Sequence, residues 1–522
     1  MTSTVAQKGA RDRTQDAVFS LLGNGSSYGG GLEVHRCDTH AAAVFLAGNR
    51  ALKVKKAVRF PFLDYSTLEK RKIACSAELE VNRRFAPQLY RRIMPITRES
   101  NGRLALDGQG QPVEWAVEMM RFDENQTLDH IADRGELDDD MARKLADTVV
   151  SMHERAEPVA PAPWLCAVEQ FIDQNTEAFR QHKALFPIQS VLDLDRKARA
   201  ALERLRPLLA ARGKQSFVRR GHGDLHLGNI AILDGKPVAF DAIEFDQIVA
   251  SGDVLYDLAF LLMDLIGRSL YRQANTILNG YFAARPLLDY DGLAALPLFM
   301  ALRAAIRAKV TAARLDQLEP GNHEKIARDA VRYFQLAIEL MAETAPQLIC
   351  VGGLSGTGKS VLARSLAPSI LPRPGALVLR SDVERKHLLG THETDKLPTQ
   401  AYQSDVSEKV YSLLDAKAGR IVRAGYSAII DAVFASPAER IAIENVARDA
   451  EVRFRGLFLT ADVDTRLKRI GARGPDASDA DVNVARQQEK IGIGSLAWTI
   501  VDASSSADQT VINARTALGY TI

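Results

Sequence analysis

The chain has 522 residues, of which 46% are hydrophobic and 25% are charged, and its formal net charge at pH 7 is +2. This length is too great for a single core, because one domain usually contains roughly 100–200 residues, and the composition is ordinary for a globular protein. The nearly balanced charge argues against a protein built to bind nucleic acid or an anionic membrane.

The apolar and cysteine patterns predict a cytoplasmic location. Apolar runs such as Leu258–Met263 are far shorter than the roughly 18 residues that a membrane span needs. Residues 1–31 are polar and lack the apolar stretch of a secretory signal. The cysteines are far apart and have no spacing typical of zinc sites or disulfide frameworks, which indicates isolated thiols in a reducing compartment: Cys37, Cys75, Cys166 and Cys350.

The first part of the chain is predicted to be rich in strands. Residues 1–31 contain a Gly/Ser-rich stretch and are interpreted as a flexible lead-in. Short apolar runs separated by turn residues predict a three-stranded meander over Leu32–Lys55. A charged helix is expected over Ser66–Phe85, and further strands over residues 88–120.

A polar stretch interrupts the helical pattern that follows. It reads His222-Gly-Asp-Leu-His-Leu-Gly-Asn229, so that Asp224 and Asn229 are five residues apart. This is the spacing of a kinase catalytic loop, in which the Asp orients and deprotonates an acceptor hydroxyl and the Asn holds Mg²⁺. A predicted hairpin then places Asp241 where kinases have a second Mg²⁺ ligand. Three such groups in register favour phosphoryl transfer over a plain polar loop.

The same stretch resembles aminoglycoside phosphotransferases and choline kinases, which are small-molecule relatives of the protein kinases. Asp241 precedes Ala-Ile-Glu244 rather than Phe-Gly, which suits the small-molecule branch. The resemblance implies an α+β bilobal protein-kinase-like domain, with an N-lobe over residues 32–120 and a helical C-lobe over residues 121–342.

In such a fold the third strand carries a lysine that grips the ATP phosphates and pairs with a glutamate of the next helix. Lys53 is the candidate lysine, and Lys55 on the same strand face is its rival. Glu78 or Glu80 is expected to supply the partner. The alternative is a basic edge strand beside a solvated helix, and the resemblance favours the ion pair.

A second motif begins after the apolar run Gln347–Val351. Gly353-Leu-Ser-Gly-Thr-Gly-Lys-Ser360 is a complete G-x₄-G-K-[ST] loop between a predicted strand and a predicted helix. Its glycines free backbone N–H groups to wrap phosphate oxygens at a helix N-terminus. Lys359 is expected to reach the β- and γ-phosphates and Ser360 to bind Mg²⁺. The predicted nucleotide-binding residues are Gly353, Ser355, Gly356, Thr357, Gly358, Lys359 and Ser360.

Two carboxylates follow later predicted strands. Asp382 comes after Ala376–Leu379, and Asp431 comes after Ser427–Ile430. Ligands of open α/β sheets bind at the carboxyl ends of the strands. Asp431 is therefore expected to hold Mg²⁺, directly or through water, and Asp382 to orient or deprotonate an acceptor.

Two arginines are candidates for stabilising the transferred phosphate. Arg469 and Arg473 are four residues apart on a predicted helix and share a face. Paired arginines could clamp the γ-phosphate as its charge shifts. The alternative is a surface pair that faces Asp462 and Asp464.

Residues 347–522 resemble the small P-loop kinases related to gluconate kinase, chloramphenicol phosphotransferase and the zeta toxins. The resemblance implies an α/β P-loop NTPase domain with a mainly parallel sheet, separated from the first domain within Met341–Pro346. Together the two resemblances cover residues 32–522, and their combination resembles bacterial bifunctional aminoglycoside phosphotransferase/ATP-binding proteins. It implies two ATP- and Mg²⁺-dependent phosphotransferase sites that act on small molecules bearing hydroxyl groups.

Two other interpretations remain open. One domain could bind ATP as a regulatory sensor of its neighbour. The P-loop domain could instead phosphorylate an activated sugar or a macromolecule in the manner of a toxin. The sequence predicts neither the acceptors nor the oligomeric state, and no nucleic-acid or membrane partner is expected.

Overall fold

The computed structural model describes residues 13–60, 63–246, 248–283, 285, 287–315, 323–472, 474, 476–490 and 492–520. Up to Met120 the described residues form a mixed region of strands and two helices. Its elements are α1 (Arg13–Leu22), β1 (Val34–Asp38), β2 (Ala42–Ala47), β3 (Arg50–Lys55), β4 (Arg59–Phe60), β5 (Leu63–Asp64), α2 (Leu68–Arg83), β6 (Tyr90–Arg98), β7 (Leu104–Leu106) and β8 (Gln111–Met120).

The main sheet of this region has the strand order β1-β2-β3-β8-β6-β7, and its pairs are antiparallel. The predicted meander and the predicted charged helix are therefore present. Strand β3 is central, so Lys53 and Lys55 lie inside the sheet rather than on an edge strand. This position explains how Lys55 comes to be buried and why the Lys53 side chain is only 14% exposed.

The predicted flexible lead-in is wrong for Arg13–Leu22, which form helix α1. Val18 and Leu22 are four residues apart on one helix face, and both are fully buried with Phe45 and Leu52 of the sheet. The Gly/Ser-rich stretch that follows dominated the sequence interpretation and hid this short apolar face. Residues 1–12, which belong to the same prediction, lie outside the described residues.

The middle of the chain is mainly helical. Its elements are α3 (Leu128–Asp133), α4 (Asp139–Arg155), α5 (Pro161–Gln181), α6 (Ile188–Lys214), β9 (Val218–Arg220), β10 (Ile230–Leu233), β11 (Lys236–Ala239), β12 (Ser251–Asp253), α7 (Val254–Gly267), α8 (Tyr271–Ala283), α9 (Leu296–Ala313) and α10 (His323–Leu340). Strands β10 and β11 form the expected antiparallel hairpin. No helix in the described ranges is both long and apolar enough to cross a membrane.

The last part of the chain alternates strands and helices. Its elements are β13 (Gln347–Gly353), α11 (Lys359–Leu366), β14 (Leu377–Arg380), α12 (Ser381–Leu388), α13 (Ser404–Arg423), β15 (Ala428–Asp431), α14 (Pro437–Asp449), β16 (Arg453–Thr460), α15 (Val463–Gly471), α16 (Val482–Gln488), β17 (Thr499–Asp502) and α17 (Ala507–Leu518).

These strands form one sheet with the order β14-β15-β13-β16-β17, and every neighbouring pair is parallel. The predicted α/β domain with a mainly parallel sheet is confirmed. Apolar residues of β13 pack with those of α11 and α17 in the core. Because parallel strands end at the same edge, the loop after β13, Arg380 of β14 and Asp431 of β15 come together.

The described residues form two compact units. One unit contains the residues up to Gln170 together with Ala210–Leu261, and the other contains Phe171–Leu209 together with the residues from Leu262 onward. Helices α8 to α10 thus belong to the same compact unit as the parallel sheet. The segment at residues 341–346 does lie between α10 and β13, but the second unit continues across it.

Side chains of α8 connect that helix to the parallel sheet. The Asn275 amide donates to the Ala376 carbonyl oxygen at 3.0 Å, and the Val378 N–H donates to Asn279 Oδ1 at 2.6 Å. Strand β14 lies at the edge of its sheet, so these amides satisfy backbone groups that no neighbouring strand reaches.

Candidate active sites

The loop between β9 and β10 is held in place by Asp257 of α7. The His222 and Gly223 N–H groups donate to the two carboxylate oxygens of Asp257 at 2.7 and 3.0 Å. His222 is fully buried, its Nε2 lies 2.9 Å from the Phe240 carbonyl oxygen, and burial lowers its pKa. Gly223 has a φ of 81°, which L side chains rarely adopt. The loop backbone is therefore fixed by buried contacts on both sides.

The structure brings Asp224 and Asn229 together. Asn229 Nδ2 donates to both the backbone carbonyl and Oδ2 of Asp224, each at 3.0 Å. His226 Nε2 lies 3.5 Å from Asp224 Oδ2. Both side chains that the sequence assigned to acceptor and metal binding thus project from one short turn, in fixed orientation.

Lys53, Glu78 and Asp241 are also in contact. Lys53 Nζ lies 2.7 Å from Glu78 Oε1 and 2.6 Å from Asp241 Oδ1. Glu80, the alternative partner, is exposed and lies 3.3 Å from Arg84. Lys53 is therefore the lysine that bridges helix α2 and the residue predicted to bind metal.

Lys55 takes part in the same cluster. Its Nζ lies 2.5 Å from Glu78 Oε2 and 2.5 Å from Glu244 Oε1. Burial raises the pKa of Glu78, but Lys53 and Lys55 outweigh that effect and lower it to about 2. The choice that the sequence left open has no single answer in structure, because Glu78 pairs with both lysines.

Asp241 follows the hairpin in an unusual backbone conformation. Its φ is 61°, and its N–H donates to the Tyr90 hydroxyl at 3.1 Å. Asp tolerates the left-handed region better than most residues, and such outliers cluster at functional sites. Within the described residues, no group of three His, Cys, Asp or Glu side chains is arranged to hold a metal ion. The site instead fits Mg²⁺, which is usually bound by one or two carboxylates together with substrate phosphates.

The loop after β13 forms a cradle that suits phosphate. Gly353, Gly356 and Gly358 have φ values of 139°, 85° and 93°. A Cβ at Gly356 would lie 2.7 Å from the Arg466 carbonyl oxygen, whereas a Cβ at Gly358 would meet nothing within 4 Å. The loop is thus closely packed against Arg466 at Gly356 and has free space beside Gly358. Burial lowers the pKa of Lys359, although Asp431 and Asp382 counteract it, so an anion beside this ammonium would be stabilised.

Asp382 and Asp431 line the same cavity as this loop. The cavity has a volume of about 1070 Å³, above the roughly 300–1,000 Å³ of most small-molecule pockets. Burial and the neighbouring Asp431 raise the pKa of Asp382. A carboxylate with a raised pKa is a better proton acceptor, which is the property that a general base needs.

The predicted arginine pair is described only in part. Arg469 lines the cavity, and its Nη2 donates to the Ser505 carbonyl oxygen at 2.6 Å. Asp462, one of the two acids proposed as alternative partners, accepts hydrogen bonds from Thr465 at the start of α15. Arg473 lies outside the described residues.

Sequence reasoning missed two buried arginines, one behind the phosphate loop and one in the wall of the cavity. Arg466 Nε donates to the Ser355 carbonyl oxygen at 2.8 Å and so supports the phosphate loop from behind. Arg385 lines the cavity, and its Nη1 donates to the Ala401 carbonyl oxygen at 2.7 Å. Its buried Nε has no hydrogen-bond partner among the residues that the structure describes. Their spacing was the available signal, since Arg466 precedes Arg469 by three residues and Arg385 follows Asp382 by three.

Models of two protein families match this chain. The model of the phosphotransferase enzyme family (APH) matches residues 57–296, and the model of an AAA domain (AAA_33) matches residues 348–490. Two relatives are each 30% identical over 462 residues, which cover 86% of this chain and 88% of theirs. They are Uncharacterized protein Rv2004c of Mycobacterium tuberculosis (strain ATCC 25618 / H37Rv) and Uncharacterized protein Mb2027c of Mycobacterium bovis (strain ATCC BAA-935 / AF2122/97).

Solved structures resemble separate parts of the chain. A choline/ethanolamine kinase family protein from Mesorhizobium loti is 13% identical and covers 63% of this chain and 95% of its own, with a TM-score of 0.37. A gluconokinase from Sinorhizobium meliloti 1021 is 16% identical and covers 34% of this chain and 94% of its own, with a TM-score of 0.26. The family models carry the assignment: both kinase-type domains expected from the sequence are present, in the expected order.

Proposed function

We propose a function from one premise: the chain belongs to a family that joins a phosphotransferase-family domain to a P-loop kinase domain. On that premise it is an ATP-dependent phosphotransferase with two phosphoryl-transfer sites, which act on hydroxyl groups of small molecules. The observation that carries the proposal is the shared cavity of about 1070 Å³, which is lined by both the phosphate loop and Asp382. A nucleotide cradle and a proton acceptor in one cavity are the two parts that phosphoryl transfer to a hydroxyl requires.

At the P-loop site each residue has a separate task. The loop backbone and Lys359 hold the phosphates, and Asp382 accepts the proton of the attacking hydroxyl. Ser360 and Asp431 are placed to hold Mg²⁺, which neutralises charge on the phosphates when it is bound. Arg469 supplies positive charge beside the loop. The sequence-based prediction gives Arg473 the same role.

At the kinase-like site the tasks are divided in a similar way. Asp224 accepts the hydroxyl proton, and its hydrogen bonds from Asn229 fix its orientation. Asn229 and Asp241 are the proposed Mg²⁺ ligands. Lys53, paired with Glu78, holds the ATP phosphates.

The position of Asp382 in the same cavity as the phosphate loop supports transfer over mere sensing. A regulatory ATP sensor needs the cradle but has no use for a general base beside it. Arg385 lines the same cavity and places a positive charge beside the acceptor molecule. A hydroxyl compound that also carries an anionic group would use this charge.

Isothermal titration of the full chain with Mg·ATP tests the proposal. The expected stoichiometry is two for the wild type and also for Asp224→Asn, because Asp224 faces the acceptor and not the nucleotide. It falls toward one for Lys359→Ala, which removes a phosphate ligand, and for Asp241→Ala, which removes a metal ligand. A wild-type stoichiometry of one would overturn the two-site proposal.

The acceptor is tested with the same proteins. Hydroxylated metabolites are screened for ADP release, with the deoxy analogue of each active compound as its control. Activity that Asp224→Asn abolishes belongs to the kinase-like site, and activity that Asp382→Asn abolishes belongs to the P-loop site. ADP release that persists with the deoxy analogues would contradict transfer to a hydroxyl group.

A further inference from the structure

Arg380 contacts both side chains that are proposed to hold Mg²⁺ at the P-loop site. It is the last residue of β14, and its side chain is 11% exposed. Its Nη2 lies 3.2 Å from Ser360 Oγ, and its Nε lies 3.2 Å from Asp431 Oδ2. The guanidinium therefore lies against the hydroxyl oxygen of Ser360 and one carboxylate oxygen of Asp431, the two side chains that are proposed to hold the divalent ion.

Asp476 holds the other side of the guanidinium more firmly. Arg380 Nη1 and Nη2 donate to Asp476 Oδ1 and Oδ2 at 3.0 and 3.1 Å. Parallel double hydrogen bonds between arginine and a carboxylate are among the strongest that side chains make. The contacts with Ser360 and Asp431 are single and longer, so they are the ones that a competing cation would break.

A metal ion and this guanidinium cannot both use these oxygen atoms. Mg²⁺ binds its oxygen ligands at about 2.0–2.1 Å and demands near-octahedral geometry, which leaves no room for N–H donors directed at the same lone pairs. Like charges also repel at such short range. A metal ion bound directly to Ser360 Oγ and Asp431 Oδ2 thus requires Arg380 to withdraw from them.

We propose that Arg380 is an exchangeable counter-ion of the metal site, which the metal displaces from Ser360 and Asp431 and which Asp476 then retains. The proposal rests on the proposed function, since it takes Ser360 and Asp431 as the metal ligands. Arg380 is a positioning residue that keeps the carboxylate of Asp431 neutralised and correctly placed until the metal·nucleotide arrives. Asp476 sets how readily the exchange occurs.

Binding of Mn²⁺ in the absence of nucleotide tests the exchange without any measurement of turnover. Free Mn²⁺ is quantified by electron paramagnetic resonance in titrations of the full chain. All proteins carry Asp241→Ala, which removes a proposed metal ligand of the kinase-like site. Asp431→Asn should abolish the remaining specific binding and so identifies the P-loop site.

Arg380→Met should tighten Mn²⁺ binding by at least about fivefold, the lower end of typical coupling between two ligands, because it removes the competing cation and keeps the apolar stem. Arg469→Met is the matched control, since it removes an equal charge from the same cavity. It should change the affinity by less than about twofold.

Asp476→Asn should weaken Mn²⁺ binding, because Arg380 then loses the partner that retains it. Loss of a negative charge would also weaken binding, and a double-mutant cycle separates the two causes. If Asp476 acts through Arg380, its effect largely disappears in the Arg380→Met background. Arg380→Gln, whose amide can still donate to Asp476, is the second variant if Arg380→Met unfolds at a lower temperature than the parent.

The outcomes distinguish this proposal from the function on which it rests. If Asp431→Asn does not reduce Mn²⁺ binding, both the proposed metal site and the proposed exchange are contradicted. Binding that depends on Asp431 but responds equally to Arg380→Met and Arg469→Met would overturn the exchange alone. If the effects of Asp476→Asn and Arg380→Met on Mn²⁺ affinity were additive, Asp476 would have no part in the exchange.

Discussion

Glu78 offers the sharpest test of the kinase-like site, because its fully buried carboxylate pairs with two lysines at once. Glu78→Gln keeps the shape of the side chain and removes its charge. Removal of one partner of a buried ion pair typically costs about 3–5 kcal/mol. Here Lys53 retains Asp241 at 2.6 Å and Lys55 retains Glu244 at 2.5 Å. We therefore expect a loss at the lower end, about 3 kcal/mol.

Glu80→Gln is the matched control on the same helix. Glu80 is 75% exposed, and its pair with Arg84 is the ordinary surface kind, worth less than about 1 kcal/mol. The free energies of local opening are measured by native-state hydrogen exchange of the amides in β3 and α2. Equal losses for the two variants would refute the argument that buried charge compensation holds this lobe together.

The pH dependence provides an independent check on the same residue. The pKa of Glu78 in the folded chain, about 2, lies below its ordinary value of 4.5. A lowered pKa means that the ionised form stabilises the fold above pH 4.5, and that this contribution is lost as the pH falls from 4.5 through about 2. The difference in unfolding temperature between wild type and Glu78→Gln should accordingly shrink on acidification over this window. A constant difference would contradict the linkage.

Two further predictions concern turnover. Asp257→Ala should lower phosphoryl transfer at the kinase-like site by at least about tenfold while ATP affinity changes little, because the His222 and Gly223 N–H groups lose their acceptor and the catalytic loop its fixed geometry. Unchanged kcat in the acceptor assay would contradict this role. Replacing both Arg469 and Arg473 with Ala should depress kcat at the P-loop site by at least about a hundredfold, within the range for loss of electrostatic stabilisation. A kcat equal to that of the wild type would contradict a role of the two arginines in phosphoryl transfer.

Local spacing made much of both sites predictable. Asp224 and Asn229 come from one turn, and the residues from Gly353 to Ser360 come from one loop, so their geometry is set over fewer than ten residues. The hairpin that carries Asp241 was predictable for the same reason. Parallel strands that all end at one edge then brought Asp382 and Asp431 to the loop.

Contacts between distant residues were not predictable. Asp257 reaches the catalytic loop from 35 residues further along the chain, and no periodicity encodes which backbone groups it accepts. The sharing of Glu78 by two lysines depends on how α2 packs on β3. The division into compact units depends on the packing of α8, whose sequence shows only a helix. Such pairings follow from the tertiary arrangement rather than from local propensity.

The amides of Asn275 and Asn279 bear on how the chain is made. Strand edges with open N–H and C=O groups are templates for pairing with other chains, and intermediates that expose them are prone to aggregate. Synthesis proceeds from the N-terminus, so α8 leaves the ribosome about a hundred residues before β14. The cover of this edge therefore exists before the strand that it protects. A gene truncated to begin at β13 would produce the parallel sheet with that edge open to any neighbouring nascent chain.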